Sequence, residues 1–258
     1  KPMDLLDSIV LGVVEGITEF LPISSTGHLI LTSKILNIPP SEFLKTFEIS
    51  IQLGAILSVV VLYFKTLSKN FEVVKKVVVA FLPTAAVGLI FYKFVKTYLL
   101  ESETVVLVSL FLGGIFLILF EKFHREKPGA AENLESISYK QSFIIGLFQS
   151  IAIIPGISRA AATIIGGLAQ NIKRKTIVEF SFLLAIPTML AATGLDLVKT
   201  AGEFSTNQMG VLSIGFLTAF ITAALSVKFL IRFIKNHSFV AFGIYRIAAA
   251  LLLWIILK

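Results

Sequence analysis

The stretch Glu15-Gly-Ile-Thr-Glu19-Phe-Leu-Pro-Ile-Ser24-Ser25-Thr26-Gly-His28 packs two carboxylates, paired serines and an imidazole into an otherwise apolar run. The acids stand i, i+4 and share a helix face, and Pro22 then ends that helix by removing a backbone donor. Ser24 is placed to cap a second helix, whose first turn brings Ser25 and His28 onto one face. Ser25 with His28 as its base, and Glu15 or Glu19 to orient the ring, is a grouping suited to nucleophilic catalysis. A serine after a break also serves as a plain N-cap, so a water in place of Ser25 stays open as the nucleophile. Two like charges one turn apart in apolar surroundings call for something between them. A divalent cation with oxygen-only ligation, Mg²⁺ or Ca²⁺, would bridge Glu15 and Glu19 to phosphate oxygens. A shared proton is the alternative.

A second break, Pro155-Gly-Ile-Ser158-Arg159, supplies a permanent cation with a planar fork that matches phosphate. Half-helix amino termini carry free N–H groups, and with Ser24, Thr26, Ser158, Arg159, Thr163 and Gln149 they make a cradle for an anion with many oxygens, a phosphate or a diphosphate. An Arg159–glutamate ion pair is the competing use of that charge. Glu48 and Gln52 share a face near one end of a span and are candidates for lining an entrance or for an interfacial position. Arg246 reads as structural, in an ion pair or on backbone carbonyls. His124 and His237 fall in charged loops.

These groups need elements to carry them. The chain has 258 residues, 56% of them hydrophobic, with 15% charged, and its mean hydropathy is +0.90. Such a composition belongs to a polytopic all-α membrane protein and leaves no room for a sizeable soluble domain. No cysteine is present, which excludes disulfides, thiolate metal sites and a cysteine nucleophile. A net charge of +7 speaks first of orientation and anionic headgroups; no nucleic acid is expected as a partner. The acids and histidine of the first apolar stretch argue against a cleaved signal peptide.

Residues 4–20 and 24–36 are each short for a span and read as a re-entrant helical pair, tolerable at membrane depth only beside protein or water. Spans are predicted at 48–65, 72–96 and 103–121, and then a polar linker over 122–139. The pattern then recurs. A shift of 134 lays Gly146-Leu-Phe-Gln149-Ser on Gly12-Val-Val-Glu15-Gly, with the prolines out by one, and a shift of 133 overlays Phe180 and Ile186 on Phe47 and Leu53. Further spans are predicted at 176–197, 209–230 and 239–257. One membrane domain with two repeats, 1–121 and 140–258, follows, and three spans per half make the repeat inverted in topology. On that topology fourteen Lys and Arg fall on one side and seven (Lys1, Lys34, Lys45, Lys93, Lys96, Lys199 and Lys258) on the other. The richer side is cytoplasmic, so the first pair opens outward and the two breaks meet near the midplane.

The two motifs, together with Phe47-Glu48, Gln52-Leu53-Gly54 and Tyr245-Arg246, closely resemble those of the bacterial undecaprenyl-diphosphatase family of the bacitracin-resistance type, over essentially the whole chain. The resemblance implies an enzyme of the bacterial inner membrane that hydrolyses undecaprenyl diphosphate to undecaprenyl phosphate and phosphate at an outward-facing site, recycling the lipid carrier of cell-wall synthesis and conferring bacitracin resistance. It puts the family's acids on Glu15 and Glu19, its serine on Ser25, its histidine on His28, and its second-motif residues on Ser158, Arg159 and Thr163. Ala160 departs from the pattern, in which a serine usually follows the arginine. The implied partners are a polyprenyl diphosphate and membrane lipids, and both a monomer and a homodimer fit. A transporter or flippase is the competing class, since broken helices at the midplane also build transporters.

Overall fold

The computed structural model describes residues 3–99, 102–200 and 206–257. Lys1 and Lys258, and the side chains of Lys96 and Lys199, on which part of the charge count rests, lie outside the described residues. The chain forms α1 (Leu5–Thr18), α2 (Ser25–Ile35), α3 (Glu42–Leu62), α4 (Phe64–Lys69), α5 (Phe71–Phe94), α6 (Glu103–Phe123), α7 (Tyr139–Ser150), α8 (Arg159–Leu168), α9 (Arg174–Thr200), α10 (Thr206–Phe233) and α11 (Val240–Leu257). Among the described residues the only extended pairing is an isolated bridge between Ala131 and Ile172.

Among the described residues five helices are long and apolar enough to cross a membrane: Glu42–Leu62, Phe71–Phe94, Glu103–Phe123, Arg174–Gly194 and Gln208–Phe233. The sixth expected span is α11, whose apolar stretch Val240–Ile256 is shorter. α3 begins six residues before the predicted 48, because Ser41 caps it by accepting from Leu44 N at 3.1 Å. The short α4 and a π-helical turn over Val95–Leu99 have no counterpart in the sequence reading.

The helix bounds of the second half follow those of the first at an offset near 134, and several local devices keep that number. Asp4 caps α1 and Ser138 caps α7, each in a reciprocal box with the residue three positions on. Ser24 and Ser158 both adopt left-handed backbone, at φ 69° and 74°, and so do Asn37 and Asn171, at 54° and 59°. For a serine that conformation costs on the order of 1–2 kcal/mol and persists only where the surroundings impose it.

α3 and α9 pack on each other at the centre, with 56% of their spanning windows buried, against 22–33% for α5, α6 and α10. α1 lies along α10, and α7 along α5. Glycine permits both approaches. A Cβ on Gly12 would stand 2.8 Å from the Gly215 carbonyl oxygen, and one on Gly146 2.1 Å from that of Ala80. α6 and α11 pair at the flank, with Leu112, Phe116, Leu251 and Trp254 exposed as a lipid-facing surface requires.

Candidate active site

α1 stops at Thr18, four residues before Pro22, so Glu19 is its cap and stands at the mouth of the first break. Its N–H still bonds the Glu15 carbonyl at 2.9 Å, which fixes where the carboxylate leaves the helix. That carboxylate is shared. Ser25 Oγ donates to Oε2 at 2.5 Å, and Arg159 Nη2 donates to Oε1 at 3.0 Å. Charge-assisted bonds of this kind are the strong ones, and both partners sit in largely buried surroundings. A serine from one break and an arginine from the other are therefore held on opposite oxygens of one acid. Arg159 makes the glutamate ion pair expected as the competing use of its charge, and it keeps one donor without a partner. Nη1 is fixed on the Ser181 carbonyl at 2.9 Å, whereas Nε is buried without a partner, as is the Ser181 hydroxyl. The guanidinium also lies 5.7 Å from the Phe20 ring centroid, and Phe20 stands edge-on to Phe182 at 5.6 Å. This aromatic floor belongs to the central core and keeps water from the far side of the arginine.

Glu15, one turn deeper, has no exposed surface, and neither carboxylate oxygen has a hydrogen-bond partner. A buried unpaired acid of this kind calls for a counter-charge or a proton. Among the described residues no three His, Cys, Asp or Glu side chains are grouped to hold a metal. Glu15 and Glu19, one turn apart, are the two carboxylates at the break that an oxygen-preferring cation would use.

His28 is not the partner of Ser25. Its Nδ1 lies 2.8 Å from the Ser24 carbonyl oxygen and its Nε2 2.7 Å from the Tyr245 hydroxyl, with the two rings 5.4 Å apart and 5° from parallel. Ser24 stands at the N-cap position of α2 in left-handed backbone, yet its side chain makes no capping bond, and its carbonyl serves His28. Ser158 does cap α8, accepting from Ala161 N at 3.2 Å. Thr26 is exposed on the first turn of α2.

Gln149 and Thr163 face each other. Gln149 donates both amide hydrogens, to Thr84 at 2.8 Å and Thr188 at 3.1 Å, and accepts from Thr163, which also bonds the Arg159 carbonyl at 2.9 Å. They brace the turn that carries Arg159, with no amide hydrogen left for a ligand. Ala160, in the place of the expected serine, is 1% exposed and packed within α8.

Among the described residues Arg246 makes no ion pair. Fully buried, it donates to five carbonyls: Leu110 from Nε at 3.3 Å, Pro22 and Ile157 from Nη1 at 3.4 and 2.9 Å, and Ser109 and Gly156 from Nη2 at 3.1 and 2.9 Å. Pro22 belongs to the first break, and Gly156 and Ile157 to the second, so one side chain ties both to α6. Gly113 makes room for it, since a Cβ there would stand 2.1 Å from Nη2. Sequence reasoning left Arg246 between an ion pair and backbone carbonyls without naming which carbonyls, and it left Tyr245 and Ser181 without roles. Tyr245 was visible only as part of the Tyr245-Arg246 pair of the family resemblance, and Ser181 lies in no motif.

The chain is similar to proteins named undecaprenyl-diphosphatase. It is 52% identical to one from Aquifex aeolicus over 244 residues, 95% of each chain, and 49% identical to one from Wolinella succinogenes over 245 residues, again 95% of each. The identity to one from Methanococcus aeolicus is 43% over 251 residues, 97% of this chain and 98% of the other. Residues 8–252 match the family described as bacitracin resistance protein BacA, so the two breaks and the arginine that joins them lie wholly within the matched region, and the chain belongs to that family.

Proposed function

We propose that this protein is a membrane phosphatase that hydrolyses undecaprenyl diphosphate to undecaprenyl phosphate and inorganic phosphate. The observation that carries the reading is the Glu19 carboxylate shared between the Ser25 hydroxyl and Arg159. It unites a nucleophile, a proton acceptor and a phosphate-binding cation at one point, and the names of the relatives agree with it.

In this mechanism Arg159 holds the terminal phosphate through the donors it keeps free, with the amino-terminal amides of α2 and α8 alongside. Ser25 Oγ attacks the terminal phosphorus in line, and its proton passes to Glu19 Oε2. The bond from phosphorus to the bridging oxygen breaks, and undecaprenyl phosphate leaves as the anion. Water then displaces phosphate from Ser25, with Glu19 returning its proton to the serine oxygen and His28 managing the proton of the water. Glu15 and Glu19 would hold a divalent cation, Mg²⁺ or Ca²⁺, which when bound supplies charge neutralisation for the diphosphate oxygens. Ser24 and Ser158 shape the cradle through their backbone, Gln149 and Thr163 support Arg159, and Thr26 lines the open side.

The two halves are read as an inverted-topology repeat within one domain, each a re-entrant pair followed by three spans. The shared offset of caps, left-handed residues and helix bounds supports this. The excess of Lys and Arg on one side supports a site open to the outer face of the bacterial inner membrane, and the family description supports a part in bacitracin resistance.

The test is phosphate release from undecaprenyl diphosphate by purified protein in detergent, with Mg²⁺ or Ca²⁺ and then with chelator, for the unaltered chain, Ser25→Ala, Glu19→Gln and Arg159→Ala. Metal-dependent release that the substitutions abolish in folded protein is expected. No release from folded, unaltered protein under any of these conditions rejects the reading.

A further inference from the structure

His28 and Tyr245 meet across 217 positions of sequence. A carbonyl oxygen only accepts, so the Ser24 contact at 2.8 Å places a hydrogen on Nδ1. In a neutral ring Nε2 is then an acceptor, and the Tyr245 O–H is its donor at 2.7 Å. Both nitrogens are thereby assigned, and the parallel rings fix the plane of the imidazole. Tyr245 is 46% exposed, so little packing holds its hydroxyl in place. What holds it is the next residue, since the five carbonyl bonds of Arg246 lock that turn of α11 against both breaks. The second half has no such arrangement, because at the offset of 134 the place of His28 is taken by Ala162.

We propose that Tyr245 is a positioning residue: the Ser24 carbonyl sets the Nδ1–H tautomer of His28, and the Tyr245 O–H holds the Nε2 edge of the ring at a fixed place in the site until water takes its place there. The proposal deepens the reading of His28 as a proton-handling group and rests on it for its effect on rate. Which ring nitrogen is the base is decided by the hydrogen bond on the other, here Nδ1 on the Ser24 carbonyl, and an imidazole without its second partner loses orientation.

The sequence contains three histidines, which makes the test direct. In a His124→Gln, His237→Gln background the remaining imidazole is His28, and ¹⁵N-histidine labelling of the full chain in detergent or lipid reads its two nitrogens at neutral pH. The expected spectrum shows a protonated Nδ1 and an unprotonated Nε2. Tyr245→Phe, which keeps the ring and removes the hydroxyl, is expected to leave Nδ1 protonated, to shift the Nε2 resonance through loss of its hydrogen-bond donor, and to lower kcat about tenfold, with KM within twofold. An Nε2–H tautomer or an imidazolium in the background protein overturns the proposal, as does a Tyr245→Phe protein with the same spectrum and kcat. A background protein that shows the expected tautomer but releases no phosphate removes the enzyme reading and leaves the spectrum to decide the placement of His28.

Discussion

The two breaks share a backbone and differ in nearly every polar side chain. Each interrupts a capped helix, passes through a left-handed serine and starts a short helix, and each preceding helix lies by a glycine against a spanning helix of the other half. At the offset of 134, Glu15 faces Gln149, Ser25 faces Arg159 and His28 faces Ala162. The first break carries an acid with two unpartnered oxygens. The second carries an amide at that place whose hydrogens are both used. One copy of the scaffold presents nucleophile and acids, and the other presents a cation and the braces that aim it. Meeting head to head, they complement each other where two identical copies would repel.

The largest effect that tests this contrast falls on the residue common to both breaks. Arg246→Met leaves five carbonyls without their donor, at about 1–3 kcal/mol for each that stays buried. It should abolish accumulation of folded protein or lower its melting temperature by well over ten degrees, as scanning fluorimetry in detergent would read. A stable Arg246→Met protein would show that the breaks hold themselves together. Next comes Arg159→Ala, with a loss of kcat of roughly a thousandfold. Arg159→Lys should recover only part of it, because an ammonium cannot donate to Glu19 and Ser181 from one planar fork. Full recovery in phosphate release would reduce the role of the second break to charge alone.

The exchange of Glu15 and Gln149 separates chemistry from support. Glu15→Gln should cost about a hundredfold in kcat and weaken the metal dependence of release. Gln149→Glu forfeits two donated hydrogen bonds and should lower stability by about 2 kcal/mol with a smaller effect on rate. The reverse ranking would move the chemistry into the second half. The smallest effects belong to the left-handed serines. Ser24→Gly relieves backbone strain with no cap to lose and should raise stability by roughly 1 kcal/mol. Ser158→Gly gives up the bond to Ala161 N and should gain a few tenths less. Equal gains would mean that the capping bond contributes nothing.

Much of this was legible because it is periodic. The apolar spans, the two prolines and the recurrence near 134 led to an all-helical chain with broken segments at matching places, and the acids, Ser25 and Arg159 were found by being polar where polarity is costly. Partnerships were harder to read. The i, i+3 spacing of Ser25 and His28 suggested that they meet, but the Ser24 carbonyl serves His28, while Glu19, outside the helix, takes the serine hydroxyl. Ser181 and Tyr245 act through contacts made by distant helices, which no local pattern encodes. Thr163 and Gln149 had the right chemistry for a ligand, but the helices packed round them satisfy it first.

The seat of Arg246 also bears on the order of events during synthesis. Both signature stretches have left the ribosome long before α11, yet the side chain that joins them travels on that last described helix, with the tyrosine that holds His28. A nascent chain halted after α10 carries every candidate catalytic residue and no frame to align them. Activity would therefore begin only when α11 joins the bundle, which makes the arrival of that helix its own checkpoint.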